Sequence, residues 1–160
     1  MFVDANFVGG TMSKSSFFSL WSERLLSVLR IVMAGLFIQH GTAKLFHVPH
    51  VAQFDGVQLM SLIGLAGAIE IIFGVLLLIG LFSRLSAFIL SGEMAVAYFM
   101  AHAPAGVLPI QNHGELAAVY CWVFLFLALA GGGPWSLDAY RKGSATEHYP
   151  ADRSLGRPLA

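Results

Sequence analysis

The chain has 160 residues, 57% of them hydrophobic and only 11% charged, with 13 phenylalanines and a formal net charge of zero; its mean hydropathy is +0.73. Soluble domains carry roughly 25% charged residues, and an interior this small cannot hide so much apolar surface, so the exterior must face lipid and a soluble globular domain is excluded. Zero net charge argues against a nucleic-acid binder, and the single Cys121 rules out an intrachain disulfide.

Residues 1–24 mix Gly9-Gly10, a Ser-rich SKSS and Trp21-Ser22-Glu23-Arg24. They lack an apolar core followed by a small-residue cleavage site, so a loose N-terminal arm is expected rather than a cleaved signal peptide. FFSLW within it suits an interfacial anchor. Four continuous apolar segments follow, at about residues 25–46, 59–82, 85–103 and 115–130. Helices rise ~1.5 Å per residue, so about 20 residues cross a ~30 Å hydrocarbon core. The runs do not alternate, which favours helices over barrel strands. Pro49 and Gly56 turn the chain after the first segment, Gly80 to Arg84 form a tight turn, and Pro104 and Pro109 break the third from the fourth. GGGPW ends the fourth, with Ser136 and Asp138 as a helix-end stop and cap. Residues 25–138 therefore read as one all-α, four-helix transmembrane bundle with short connections. Residues 139–160 read as a polar C-terminal tail, disordered or lying on a partner.

Lys14, Arg24, Arg30, Arg84, Arg141, Lys142, Arg153 and Arg157 fall on one side of such a bundle, and Lys44 alone falls near the other. The excess of Lys and Arg on the cytoplasmic side then places both termini in the cytoplasm.

The polar residues inside the apolar segments carry the functional signal. His40 and Lys44 share a stripe with Arg30, Met33 and Phe37 on the first helix. Glu70 lies between Gly67 and Gly74 on the second, and small residues permit close helix approach. Glu93 lies beside the line of Met94, Tyr98 and His102 on the third, and Glu115 opens the fourth. A charge at the bilayer centre costs about 2.5–3.5 kcal/mol, so these groups should turn inward and pair, or line a wet cavity opening toward the outer leaflet.

Together LRIVMAGLFIQHGTAKLF, GLAGAIEIIFGVLLLIGLFSRLSAFIL, GEMAVAYFMAHAP and NHGELAAVYCWVFLFLALAGGGPWSLD resemble the DoxX family of small four-helix membrane proteins. The carrying pieces are Gly41 with Lys44, Glu70 with Gly74, Gly80 with Arg84, Ala97 to His102, Glu115, and the Gly131, Gly133, Ser136, Asp138 end. The resemblance implies a multi-pass protein of the bacterial inner membrane. It also implies a link to quinone-coupled sulfur oxidation, as the membrane part of thiosulfate:quinone oxidoreductase, or to redox-stress complexes beside a superoxide dismutase. A fold carries such a reaction only loosely.

The expected role is a small membrane subunit of a quinone-linked oxidoreductase or respiratory assembly, accessory to a larger membrane complex or a soluble oxidoreductase rather than an enzyme alone. His40, Lys44, Glu70, Glu93, Tyr98, His102 and Glu115 are the candidate ring: His, Lys and Tyr donate to quinone carbonyls, and carboxylates carry protons. Two other classes compete: a purely structural or assembly subunit whose buried ions fix helix register, and a carrier of a small anion with Lys44 as counter-charge. A haem b between His40 and His102 is the alternative cofactor. His47, His50, Asp55 and His113 have metal-ligand chemistry, but Pro49 puts them on a turn, and no metal site is expected there.

Overall fold

The structure is a computed structural model that describes residues 14–147. Helix α1 spans Lys14–Phe46, α2 Leu62–Ile79, α3 Ser83–Ala97, α4 Pro109–Asn112, α5 Glu115–Ala130 and α6 Leu137–Glu147. A 3-10 turn, Ala52–Phe54, lies between α1 and α2, and α3 runs on through a π turn, Tyr98–His102, and a 3-10 turn, Ala103–Ala105. No strand occurs among the described residues.

Local chemistry sets the ends. The Ser61 hydroxyl accepts the Gly64 N–H and starts α2. Gly80 closes α2 at φ +76°, a left-handed conformation that glycine adopts without Cβ strain. A Cβ there would also stand 2.5 Å from Ser136 Cβ, so the turn and the packing both need glycine. Pro109 opens the short α4, where its missing N–H costs nothing.

Helix α1 packs along α2, α3 along α5, α2 against α3, and α1 touches α5. The shared core contains Ala34 and Phe37 of α1, Leu77 of α2, Leu90 and Met94 of α3, and Tyr120, Phe124 and Leu127 of α5. Phe37 meets the rings of Tyr120 and Phe124 at 5.1 and 4.9 Å. The outer faces expose large apolar side chains, including Val32, Ile72, Phe88, Trp122 and Leu129. Three stretches, Trp21–Phe46, Leu62–Ile79 and Ser83–Ala105, are long and apolar enough to cross a membrane, and the apolar Glu115–Ala130 is shorter. An outer surface this apolar on helices of this length belongs to a membrane protein.

Several boundaries differ from those read in the sequence. Helix α1 begins at Lys14 instead of near Leu25, so the described part of the expected arm is helical and continuous with the first segment. Helix α2 is trimmed at both ends by Ser61 and Gly80. The third segment is α-helical only to Ala97 and then widens into the π turn. Residues 137–147 form α6, not an irregular tail, because the Ser136 hydroxyl accepts the Ala139 N–H at its start. Residues 1–13 and 148–160, the rest of the expected arm and tail, lie outside the described residues.

Candidate functional site

The α1–α2 crossing positions the first charged group. A Cβ on Gly41 would lie 2.8 Å from the Gly67 carbonyl oxygen, and one on Gly67 would lie 3.1 Å from Lys44 Cβ. The two glycines let the backbones close, as small residues do between membrane helices. Lys44 Nζ then donates to Glu70 Oε1 at 2.5 Å, with 13% of the Lys44 side chain and 1% of the Glu70 side chain exposed. Lys44 Nζ also lies 5.6 Å from the centre of the Phe54 ring.

Glu70 Oε2 and both carboxyl oxygens of Glu93 are buried without a hydrogen-bond partner among the described residues. The charges of Glu70 and Lys44 both reach Glu93. Tyr120 of α5 feels the Glu70 charge, and its ring meets His40 edge-on at 5.8 Å. His40, in turn, feels Lys44. Glu93, His40 and Tyr120 thus lie within electrostatic reach of the Lys44–Glu70 pair. Lys44 neutralises one carboxylate, and the second needs a proton, a cation or a donor from a ligand.

Tyr98 and His102 belong to a separate layer nearer the α3–α5 connection. His102 Nδ1 lies 3.1 Å from the Asn112 carbonyl oxygen. The buried Asn112 amide donates to Gly106 O at 2.8 Å and to Tyr98 Oη at 3.4 Å, and its Oδ1 accepts the Gly114 N–H at 2.8 Å. These bonds hold the connecting loop in place. Glu115 is exposed at the first position of α5. The residues read as one ring thus divide. His40, Lys44, Glu70 and Glu93 gather, Tyr98 and His102 join Asn112, and Glu115 faces outward because its turn of α5 presents Ala117 to the core instead. His40 and His102, paired in the haem alternative, fall into different groups. His47 and His113 are exposed, His50 pairs with the exposed Asp55 at 3.0 Å, and no three His, Cys, Asp or Glu residues gather as metal ligands among the described residues.

Tyr120 lies outside the candidate ring, and so does Asn112, although Asn112 stands with His113 and Glu115 among the polar residues that open the fourth segment. Tyr120 is hidden in an apolar run, and only its place one turn before the buried Phe124 marks the inward face.

The opposite end is a clasp. Arg30 is fully buried. Its Nε donates to Gly132 O and its Nη2 to Trp135 O, both at 2.8 Å, and its Nη1 serves the Leu77 and Leu78 carbonyls that end α2. Asp138 accepts the Phe82 and Ser83 N–H groups at 2.9 and 2.8 Å, capping α3 from across the bundle. Burial pushes the Asp138 carboxyl up, but these hydrogen bonds and nearby Lys142 outweigh it and hold the group below the usual carboxylate range. Arg84 Nη1 donates to Leu129 O at 2.7 Å, at the carbonyl end of α5. The Gly-rich segment ending in Ser136 and Asp138 is therefore structural.

Residues 25–103 match the DoxX family. A protein of Haemophilus influenzae (strain ATCC 51907 / DSM 11121 / KW20 / Rd), described as uncharacterized, is 47% identical over 117 residues, covering 71% of this chain and 87% of the relative. A second uncharacterized protein of the same organism is 36% identical over 73 residues, 46% of this chain and 48% of the relative. No solved structure matches the chain significantly.

Proposed function

The chain belongs to the DoxX family, and from that premise we propose that it is a small subunit of a quinone-linked oxidoreductase or respiratory assembly in the bacterial inner membrane. In this reading four helices, α1, α2, α3 and α5, span the bilayer with both termini in the cytoplasm. Arg24, Arg84, Arg141 and Lys142 then lie on the cytoplasmic side, as the excess of positive charge there requires.

One observation carries the functional part: Glu93 has two buried carboxyl oxygens with no partner among the described residues, within electrostatic reach of the Lys44–Glu70 pair. An unpartnered buried polar group costs about 1–3 kcal/mol, so a group used only for stability would be satisfied. The residues suit a quinone headgroup. Lys44 has three donors and gives one to Glu70, and His40 and Tyr120 supply further polar hydrogens. A bound quinone supplies redox chemistry in which electrons are taken up together with protons. Lys44, paired with Glu70, would donate to one carbonyl, Glu93 would take and return the proton, and the apolar helices would exclude bulk water.

The test is quinone occupancy of the protein purified in native-lipid discs, measured by solvent extraction and absorbance. Wild type is expected to hold quinone near stoichiometry, and Glu93→Gln to lose it by about tenfold or more with the same insertion and yield. Equal occupancy in both proteins, or none in wild type, contradicts the reading.

A structural subunit is the second reading, favoured by the location of the Lys44–Glu70 pair at the glycine crossing, where it fixes helix register. It predicts that Glu93→Gln and Glu70→Gln change only protein yield and copurification of a larger complex.

A further inference from the structure

Apart from the buried acids, a cleft of about 480 Å³ opens at the other end of the bundle, between the start of α3, the Gly131–Gly133 segment and α6. Arg84, Arg141 and Lys142 line it against one carboxylate, Asp138. Both Asp138 oxygens are engaged by the Phe82 and Ser83 amides. Arg84 spends Nη1 on the α5 carbonyls. Its Nε and Nη2 lie 3.5 Å from where a Cβ on Gly131 would stand, so the glycine leaves that side of the guanidinium uncovered by side chain. Arg141 and Lys142 are exposed. Among the described residues, the cleft sets Arg84, Arg141 and Lys142 beside Asp138 in a concave site.

Its rim is apolar. Phe82 and Leu85 line it and are exposed, and Trp135 and Tyr140 are exposed nearby on the same segment and helix. The apolar faces of α3 and α5 begin at the same place, whereas α6 is polar. Cationic walls at the boundary between a polar helix and a lipid-facing surface complement a molecule with an anionic head and apolar chains.

We infer that this cleft is a binding site for the headgroup of an anionic phospholipid, with Arg84, Arg141 and Lys142 contacting the phosphate and the acyl chains descending past Phe82 and Leu85. The site is independent of the quinone reading. It anchors α6, and with it the Asp138 clasp, to the membrane surface.

The test uses the full chain in discs of equal parts phosphatidylglycerol and phosphatidylcholine, released for native mass spectrometry. Wild type is expected to retain phosphatidylglycerol in preference to phosphatidylcholine. Arg141→Gln/Lys142→Gln is expected to lower that preference on the order of tenfold, since each surface cation contributes a few-fold to binding an anionic lipid. Arg24→Gln, an exposed cation on α1 outside the cleft, is expected to leave it unchanged. Three results overturn the inference: no preference in wild type; an equal loss in Arg24→Gln, which means diffuse attraction; or full thermal stabilisation of the detergent-solubilised protein by inorganic phosphate alone, which means a free anion is the ligand.

Discussion

At the residue scale, two acid–base contacts in this chain do opposite work. Asp138 is a cap on another helix, and its hydrogen bonds hold its carboxyl below the ordinary range. A carboxylate with a depressed folded-state value contributes stability that is present above the unfolded value and lost as pH falls through the folded one. Unfolding free energy followed against pH should therefore drop below about pH 4 in wild type. Asp138→Asn should be weaker by about 1 kcal/mol at neutral pH and should show a shallower acid limb. Lys44, by contrast, neutralises Glu70 inside the bundle. Lys44→Met strands that carboxylate and should cost about 3–5 kcal/mol, whereas Lys44→Met/Glu70→Leu should recover most of the loss, both read by unfolding in lipid–detergent mixtures.

At the element scale, helix ends decide the architecture. The carbonyls ending α2 are taken by Arg30 and those ending α5 by Arg84. Arg30→Lys keeps the charge but cannot fork to four carbonyl oxygens on separate segments, so it should lose about 1–3 kcal/mol of unfolding free energy. The sequence revealed these elements unevenly. Helix α5 is legible to its bounds because a carboxylate opens it and three glycines close it. The apolar character of α2, with Gly67, Glu70 and Gly74 on one buried face, is equally plain from spacing. The role of Arg30 was not legible: it looked like a flanking charge, since its partner Gly132 is 102 residues away. The π turn at Tyr98–His102 has no local signature, and it is what carries His102 to Asn112. Helix α6 was obscured by its polarity, although Ser136 ahead of Leu137 and Asp138 is a cap followed by an acidic first turn.

At the scale of the whole molecule, the bundle has two polar ends and one polar interior. One end is a clasp in which the arginine and aspartate side chains meet backbone partners. The other is a loop held by Asn112. Between them, Lys44, Glu70 and Glu93 are drawn from α1, α2 and α3, and Tyr120 closes the group from α5. The sequence raises a wider expectation, one ring that also holds Tyr98, His102 and Glu115. The glycine crossing brings Lys44 to Glu70, whereas Tyr98 and His102 join Asn112 and Glu115 is exposed at the start of α5.

The proposed role of Glu93 sets a carboxyl used for chemistry inside the bundle at a cost to the fold. Its most direct measurement is the unfolding free energy of Glu93→Met in a bilayer against wild type. Removing an unpartnered buried carboxyl in favour of an apolar side chain of similar volume should leave stability unchanged or raise it by about 1–3 kcal/mol. A fall of about 2 kcal/mol or more would mean that Glu93 holds the bundle together, and would contradict the account.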